Sequence, residues 1–460
     1  MDSRPTIRPN AQPSSIRTIV AASAIGTTIE WYDFLIYATA ASLVLNKLFF
    51  PTEDPLVGKL ISISTIGVGF FARPIGAVVL SHFGDRLGRK APLILTLVSM
   101  GIATTLIGLL PTYASIGIAA PILLVACRLV QGIAVGGEWG GAVLIATEHS
   151  PADKRGFYGS LVQIGFPLGM SLGTASFFAL AYLDDKQFMS WGWRIPFVAS
   201  AALVAIGTFI RLRIDETPDF KRVVREGKVA RMPVLETVRR HPKDLLIGLG
   251  ARITEISWIY VLTIFGLSYA VTTLALPRSL VLGAIALGAA VELITIPLFG
   301  WLSDHVGRRP IYLLGCIAAI LLSFPIFWAL ATRDPVVVVL AFVIGMSVGH
   351  GIMYGVQASF LSEMFPSNLR YSGASLGYQL AAPIGGGLVP LAAAAVVGLT
   401  GGATWPVSLL MILIASMTVL AVMAARETAP RLASLRPTFT LAPEAQVSRG
   451  PAPGLATQGE

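Results

Sequence analysis

Nine side chains in this sequence sit where charge is expensive. Five carboxylates (Glu30, Asp33, Glu138, Glu255, Glu292), three guanidiniums (Arg73, Arg128, Arg252) and the imidazole of His350 fall inside long apolar runs. A charge near the middle of a bilayer costs on the order of 3 kcal/mol even on the gentler insertion scale, so the eight acids and arginines cannot face lipid. They must pair with one another or line one shared, water-accessible chamber. Fully ionised, the eight sum to −2. A desolvated, net-negative cluster favours holding a proton on one or two of its acids, which is the chemistry of proton coupling.

Spacing and residue type assign roles within the set. Glu30 and Asp33 lie three apart on one helix face beside Trp31, Tyr32 and Tyr37, and two acids on one face repel, which favours keeping one protonated. They are the candidate proton site, with Glu138 as a relay. Arg128 stays charged and offers a fork that matches a carboxylate, so it is the candidate anion anchor. The competing reading is an internal ion pair to Glu30, Asp33 or Glu138. Arg252 and Glu255, also three apart, suit a self-paired couple as well as a substrate site. Gln131, Tyr32, Trp139, Gln163, Tyr354, Gln357, Tyr378 and Gln379 are the remaining candidate substrate ligands. Each also fits ordinary helix packing. No spacing of His, Cys, Asp or Glu suits a metal, no Ser/His/Asp grouping suits hydrolysis, and no P-loop is present. No cofactor, no metal, no ATP and no enzymatic activity are expected.

The elements that must hold these groups are bilayer-spanning helices. Over 460 residues, 54% are hydrophobic and only 13% charged, against about 25% charged in a soluble domain. Runs long enough to cross fall near 18–48, 57–82, 91–110, 116–147, 157–182, 193–212, 244–273, 280–302, 310–331, 335–362, 371–398 and 404–425. These are numbered spans 1 to 12. They divide as two halves of six, 18–212 and 244–425, joined by a polar linker at 213–243. The first run is too long for a signal peptide and is read as a retained span. Residues 1–17 form a polar tail, and 426–460, rich in Pro, Ala, Ser and Gly, is expected to be disordered. Of the 34 Lys and Arg, 25 lie in the tails and even-numbered loops and six in the odd-numbered loops. That excess puts both termini in the cytoplasm and makes the net charge of +9 a topology signal, not a nucleic-acid signal.

The sequence also repeats itself. Asp85-Arg86-Leu87-Gly88-Arg89-Lys90 returns 219 positions later as Asp304-His305-Val306-Gly307-Arg308-Arg309, and Glu148…Arg155 returns 215 positions later as Glu363…Arg370. Two matches at nearly one offset indicate two duplicated halves. Acids at helix ends with arginines a few residues on can latch those ends and release as the halves rock. Asp85, Arg86, Arg89, Glu148, Arg155, Asp304, Arg308, Glu363 and Arg370 are therefore the expected gate. Arg73, before Pro74 and expected near the cytoplasmic end of span 2, joins them.

The repeated loop resembles the signature of the major facilitator superfamily. Within it, Glu30-Trp31-Tyr32-Asp33-Phe34, Phe71-Ala72-Arg73-Pro74-Ile75-Gly76, Arg128-Leu129-Val130-Gln131-Gly132 with Gly136 to Gly141, and Trp191 to Phe197 are similar to the metabolite:H+ symporter family. Ser81 stands where the signature usually has its leading glycine, whereas Gly300 keeps it in the second copy. The resemblance implies an all-α carrier of twelve transmembrane helices in two pseudo-repeated halves, functional as a monomer in a bacterial inner membrane. It implies proton-driven import of a small organic acid, shikimate-like or another mono- or dicarboxylate, by alternating access. Zwitterionic osmolytes such as betaine or proline are the alternative cargo, and a non-transporting membrane receptor is a third reading.

Overall fold

The computed structural model describes residues 15–51 and 55–430, with side chains described outside 52–64, 66 and 181. Of the expected tails 1–17 and 426–460, residues 1–14 and 431–460 lie outside the described residues; the helix of span 1 already begins at Ile16, and 426–430 is placed, with Glu427 bonded to the Arg308 and Arg309 amides, against the disorder expected there. All regular structure among those described is helical. The long helices are span 1 (Ile16–Phe49), span 3 (Lys90–Leu109), span 4 (Ala119–His149), span 5 (Ala152–Ala179), span 6 (Gly192–Leu212), span 7 (Pro242–Thr272), span 8 (Arg278–Val306), span 10 (Pro335–Glu363), span 11 (Arg370–Leu399) and span 12 (Trp405–Ala424). Span 2 is Pro55–Leu87. Span 9 is Arg308–Leu322 followed by Pro325–Ala331, bent by 41°. Two short helices, Pro218–Arg225 and Pro233–Arg240, lie in the linker.

Large apolar side chains such as Phe178, Leu321, Leu413 and Leu420 are exposed on the outside of this bundle, which for a bilayer protein is its lipid-facing surface. Polar and charged groups turn inward. Between the halves, span 2 packs on span 11, and span 5 packs on spans 8 and 10. Spans 1, 7, 10 and 11 each contain a π-helical stretch, Ala41–Leu45, Val261–Gly266, Gly345–His350 and Ala382–Leu388. Such stretches free carbonyls for other donors. Gly345 O, for example, accepts from Trp258 Nε1 at 2.7 Å.

Two glycine features shape the site. Gly88 (φ +110°) and Gly307 (φ +117°) close the matching turns after spans 2 and 8, a backbone state that disfavours side chains. Gly136 on span 4 lies so close to span 2 that a Cβ there would collide with the Arg73 carbonyl. This close approach sets the walls around the buried charges of the first half. Gly136→Val should therefore separate spans 2 and 4 at a cost of about 1–3 kcal/mol, read as a lower melting temperature of the purified protein in detergent.

Candidate functional site

Spans 1 to 4 enclose a small cavity of about 20 Å³ lined by Glu30, Asp33, Arg73, Arg128, Gln131 and apolar neighbours. That is room for about one water. A chain of hydrogen bonds runs along its wall. Arg128 Nη1 donates to Gln131 Oε1 at 2.9 Å, Gln131 Nε2 to Thr104 Oγ1 at 2.7 Å, and Thr104 Oγ1 to Asp33 at 2.7 Å. Ser200 Oγ donates to the other Asp33 oxygen at 2.7 Å. Arg128 lies over the Tyr37 ring at 3.9 Å, and Arg73 over the rings of Phe70 (4.6 Å) and Phe34 (5.6 Å). Among the described residues neither guanidinium forms a salt bridge to a carboxylate, and Glu30 keeps one buried oxygen without a partner. Four groups, two of each sign, thus share a dry site without neutralising one another pairwise.

Some expected positions move. Arg73 belongs to this cavity and not to the cytoplasmic gate, because span 2 continues to Leu87 and leaves Arg73 near mid-helix. The internal ion pair considered for Arg128 is absent among the described residues. Glu138 is instead clamped by Arg211 in the last turn of span 6, a residue not among the candidates read from the sequence. Both Arg211 terminal nitrogens donate to Glu138, one at 3.0 Å, and Thr96 Oγ1 adds a 2.5 Å bond. Both are 1% exposed, so this is a closed buried pair. Tyr32 hydrogen-bonds the Pro196 carbonyl at 2.9 Å, which turns it toward span 6 and away from the cavity.

The second half carries its own network. Arg252 and Glu255 form an ion pair along span 7, as their spacing suggested, and Arg252 Nη1 also donates to Gln357 Oε1 at 3.1 Å. Gln357 Nε2 in turn donates to Tyr312 at 2.9 Å and Glu255 at 3.2 Å. The Arg252 guanidinium lies 3.8 Å over Tyr378, which stacks at 3.6 Å on Trp139 of the first half. Trp139 Nε1 donates to Gln163 Oε1 at 2.9 Å, and Gln163 Nε2 to the Tyr354 carbonyl at 3.4 Å. Gln379 Nε2 reaches the Val135 carbonyl at 3.2 Å. This column of rings and amides crosses between the halves. The single shared chamber expected from the charges is here a cavity cluster in the first half, the closed Glu138–Arg211 pair and a network in the second half.

At the end of the bundle where the repeated loops lie, the two copies of the motif reach across the halves. Asp85 accepts from the backbone amides of Tyr371 (3.2 Å) and Ser372 (2.8 Å) at the start of span 11. Asp304 accepts from Gly156 (2.8 Å) and Phe157 (2.9 Å) at the start of span 5. Each carboxylate sits at a helix N-terminus, where free amides and the helix dipole favour an anion. Arg89 braces Asp85 at 3.3 Å and lies 3.6 Å from Glu148; Arg308 braces Asp304 at 2.7 Å and Glu363 at 3.2 Å. Arg370 crosses to Glu148 at 3.1 Å. Arg86 is exposed and Arg155 only approaches Asp219, at 4.0 Å.

Three participants were not anticipated. Glu216 caps the Arg89 and Lys90 amides at 3.0 and 3.1 Å, and Glu427 caps those of Arg308 and Arg309 at 2.9 and 3.1 Å. Linker Asp219 bonds Arg370 at 2.6 Å. A signal for two of them lies in the sequence: Glu216-Thr217 returns 211 positions later as Glu427-Thr428, near the offset of the other repeated motifs, whereas Asp219 has no counterpart among the described contacts of the second half.

Twelve long helices, buried charges on either side of the seam between the halves and duplicated ionic contacts across one end accord with a membrane transporter. The chain belongs to the Major Facilitator Superfamily, whose profile matches residues 23–390. It is 41% identical to the shikimate transporter of Escherichia coli over 88% of this chain and 94% of that protein. It is 34% identical to the E. coli proline/betaine transporter over 90% of this chain and 84% of that one. The proton:xylose symporter XylE, bound to 6-bromo-6-deoxy-D-glucose, superposes with a TM-score of 0.73 at 18% identity, covering 91% and 98% of the two chains.

Two outcomes follow from these contacts. Replacing Asp85 and Asp304 by Asn should remove about 1.5–3 kcal/mol per latch. A cysteine at buried Ser375 should then react roughly tenfold or more faster with an impermeant thiol reagent applied from the latched side. Glu138→Gln should cost about 3–5 kcal/mol by stranding Arg211, with much of the melting temperature recovered in E138L/R211L; a Glu138 acting only as a proton relay would leave the melt unchanged.

Proposed function

We propose that this chain is a proton-coupled symporter that imports a small organic acid, shikimate-like or another mono- or dicarboxylate, across a bacterial inner membrane. The observation that carries this reading is the pair of buried guanidiniums, Arg73 and Arg128, that share a cavity with Glu30 and Asp33 without ion-pairing to them. Arg128 takes the solute carboxylate in its fork, with Gln131 beside it. Adding that anion to a dry site whose four charges already balance favours a proton on Asp33 or Glu30, so solute and proton load together. The latches at Asp85 and Asp304 close one face, and their release opens it as the halves rock, with 18–212 and 244–425 as the moving units and both termini cytoplasmic. A single chain suffices, since both clusters lie within it.

The names of the relatives include both an organic acid carrier and betaine carriers. A quaternary ammonium would need free aromatic faces. Here the rings of Phe34 and Phe70 are covered by Arg73, Tyr37 by Arg128 and Tyr378 by Arg252, which favours an acid. A thermal-shift screen of the purified protein against shikimate, quinate, dicarboxylates, aromatic acids and betaine tests the solute class. Selective stabilisation by betaine alone would reject the acid reading. In proteoliposomes under an imposed pH gradient, Asp33→Asn should abolish accumulation while leaving the melting temperature within about 1 kcal/mol of the parent's stability; unchanged accumulation would remove Asp33 from the coupling step.

A further inference from the structure

His350, at the end of the π-helical stretch of span 10, is held between two acids from different spans. Its Nδ1 is 2.6 Å from Glu292 Oε1 on span 8, and its Nε2 is 2.8 Å from Glu255 Oε1 on span 7. All three side chains are at most 1% exposed. Each of these nitrogen–oxygen contacts needs one hydrogen between its atoms. A neutral imidazole brings one, and two ionised carboxylates bring none. The geometry therefore accommodates one proton beyond what a neutral ring and two carboxylates possess. Glu292 makes the same demand by another route: its second oxygen is buried and has no partner, so His350 is its one hydrogen-bonding neighbour among the described residues.

Charge arithmetic agrees with the hydrogen count. Arg252, Glu255, Glu292 and a neutral ring carry −1 together, and one added proton makes the set neutral. The surroundings add no further full charge in direct contact. Span 9 presents Tyr312 through Gln357, span 10 itself stacks Tyr354 on the imidazole at 4.7 Å, span 11 sets Tyr378 under Arg252, and span 5 turns the edge of Phe166 to the ring at 5.4 Å.

We propose that Glu255, His350 and Glu292 form a proton-binding site of the second half, holding one exchangeable proton whose presence governs whether Arg252 is free to take a solute carboxylate. This assignment rests on the organic acid reading given above and adds a second titrating centre to it. Without the proton, a carboxylate on Arg252 leaves a desolvated set at −2; with the proton, the same event leaves −1. Protonation thus loosens the hold of Glu255 on Arg252, and loss of that proton to water lets Glu255 reclaim the guanidinium and displace the anion. Only N–H and O–H bonds are made and broken: the proton arrives from water on one face and leaves to water on the other.

Two measurements test this. The first needs no solute. Infrared difference spectra of the ligand-free full-length protein between pH 5 and pH 9 should contain paired carboxyl and imidazole bands that vanish in both His350→Gln and Glu292→Gln. Bands identical in the parent and in either variant would overturn the proposal. The second uses proteoliposomes and labelled shikimate. In E292Q the set of four is neutral without the extra proton, so the accumulation ratio under an imposed pH gradient should fall at least tenfold, whereas E292D should keep most of it. An E292Q protein that accumulates to the parent's ratio overturns the proposal. If a substituted protein does not purify as a monodisperse species, the parent spectrum decides, because absence of a paired carboxyl–imidazole band there is also fatal. If the parent carries no carboxylate at all, the reading of the solute fails and the infrared comparison alone judges the triad.

Discussion

A guanidinium or carboxylate moved out of water must be answered within a few ångströms, and most of this molecule can be derived from how each buried charge is answered. Glu138 is answered fully by Arg211, and Asp304 by Arg308 plus two backbone amides. Such closed sets have no reason to change partners unless the helices themselves move. Arg73 and Arg128 are answered only in part, by ring faces and a glutamine side chain, and Glu30 keeps one buried oxygen without a partner. Partial compensation is costly in a structure that does nothing, and useful in a transporter that must take up a solute and let it go again.

The duplicated motif shows how the same physics is used at the water-facing end. A lone exposed ion pair there would contribute little. Asp85 and Asp304 instead sit buried on the first amides of a helix belonging to the other half, with an arginine behind each. Each carboxylate thus meets two backbone amides, a guanidinium and a helix dipole, so the contact between the halves at this end rests on a few strong interactions. The arginines do not follow the pairing order of the sequence: Arg370 serves Glu148 across the halves, whereas Glu363 is met by Arg308 from its own half.

Much of this was legible in the residues. Twelve apolar runs fell within a few positions of the helices, since apolar length is a property of composition, and the repeat singled out the Asp85 and Asp304 loops, which meet the other half. Depth and partner choice were harder to read. Arg73 was placed too close to the cytoplasm because the polar loop hid the last turn of span 2, and nothing local marked Arg211, at the end of span 6, as the partner of Glu138. Trp139 stacks against Tyr378, 239 positions away, and no local pattern encodes that contact between the halves. His350 drew notice in the sequence as a neighbour of the charges, but its grip by two acids from separate helices appears only in three dimensions.

Glu216 and Glu427 add one more consequence. Each belongs to the segment that leaves a bundle after its sixth helix, and each returns to cap the helix that opens after the second. Every bundle is thereby knotted to itself, like a hoop buckled at one place, while the aspartate contacts run from hoop to hoop. A swing of one hoop against the other can leave both buckles fastened and undo only the clasps between them. Each bundle is thus fastened to itself past its sixth helix, four residues beyond Leu212 at Glu216 and three beyond Ala424 at Glu427.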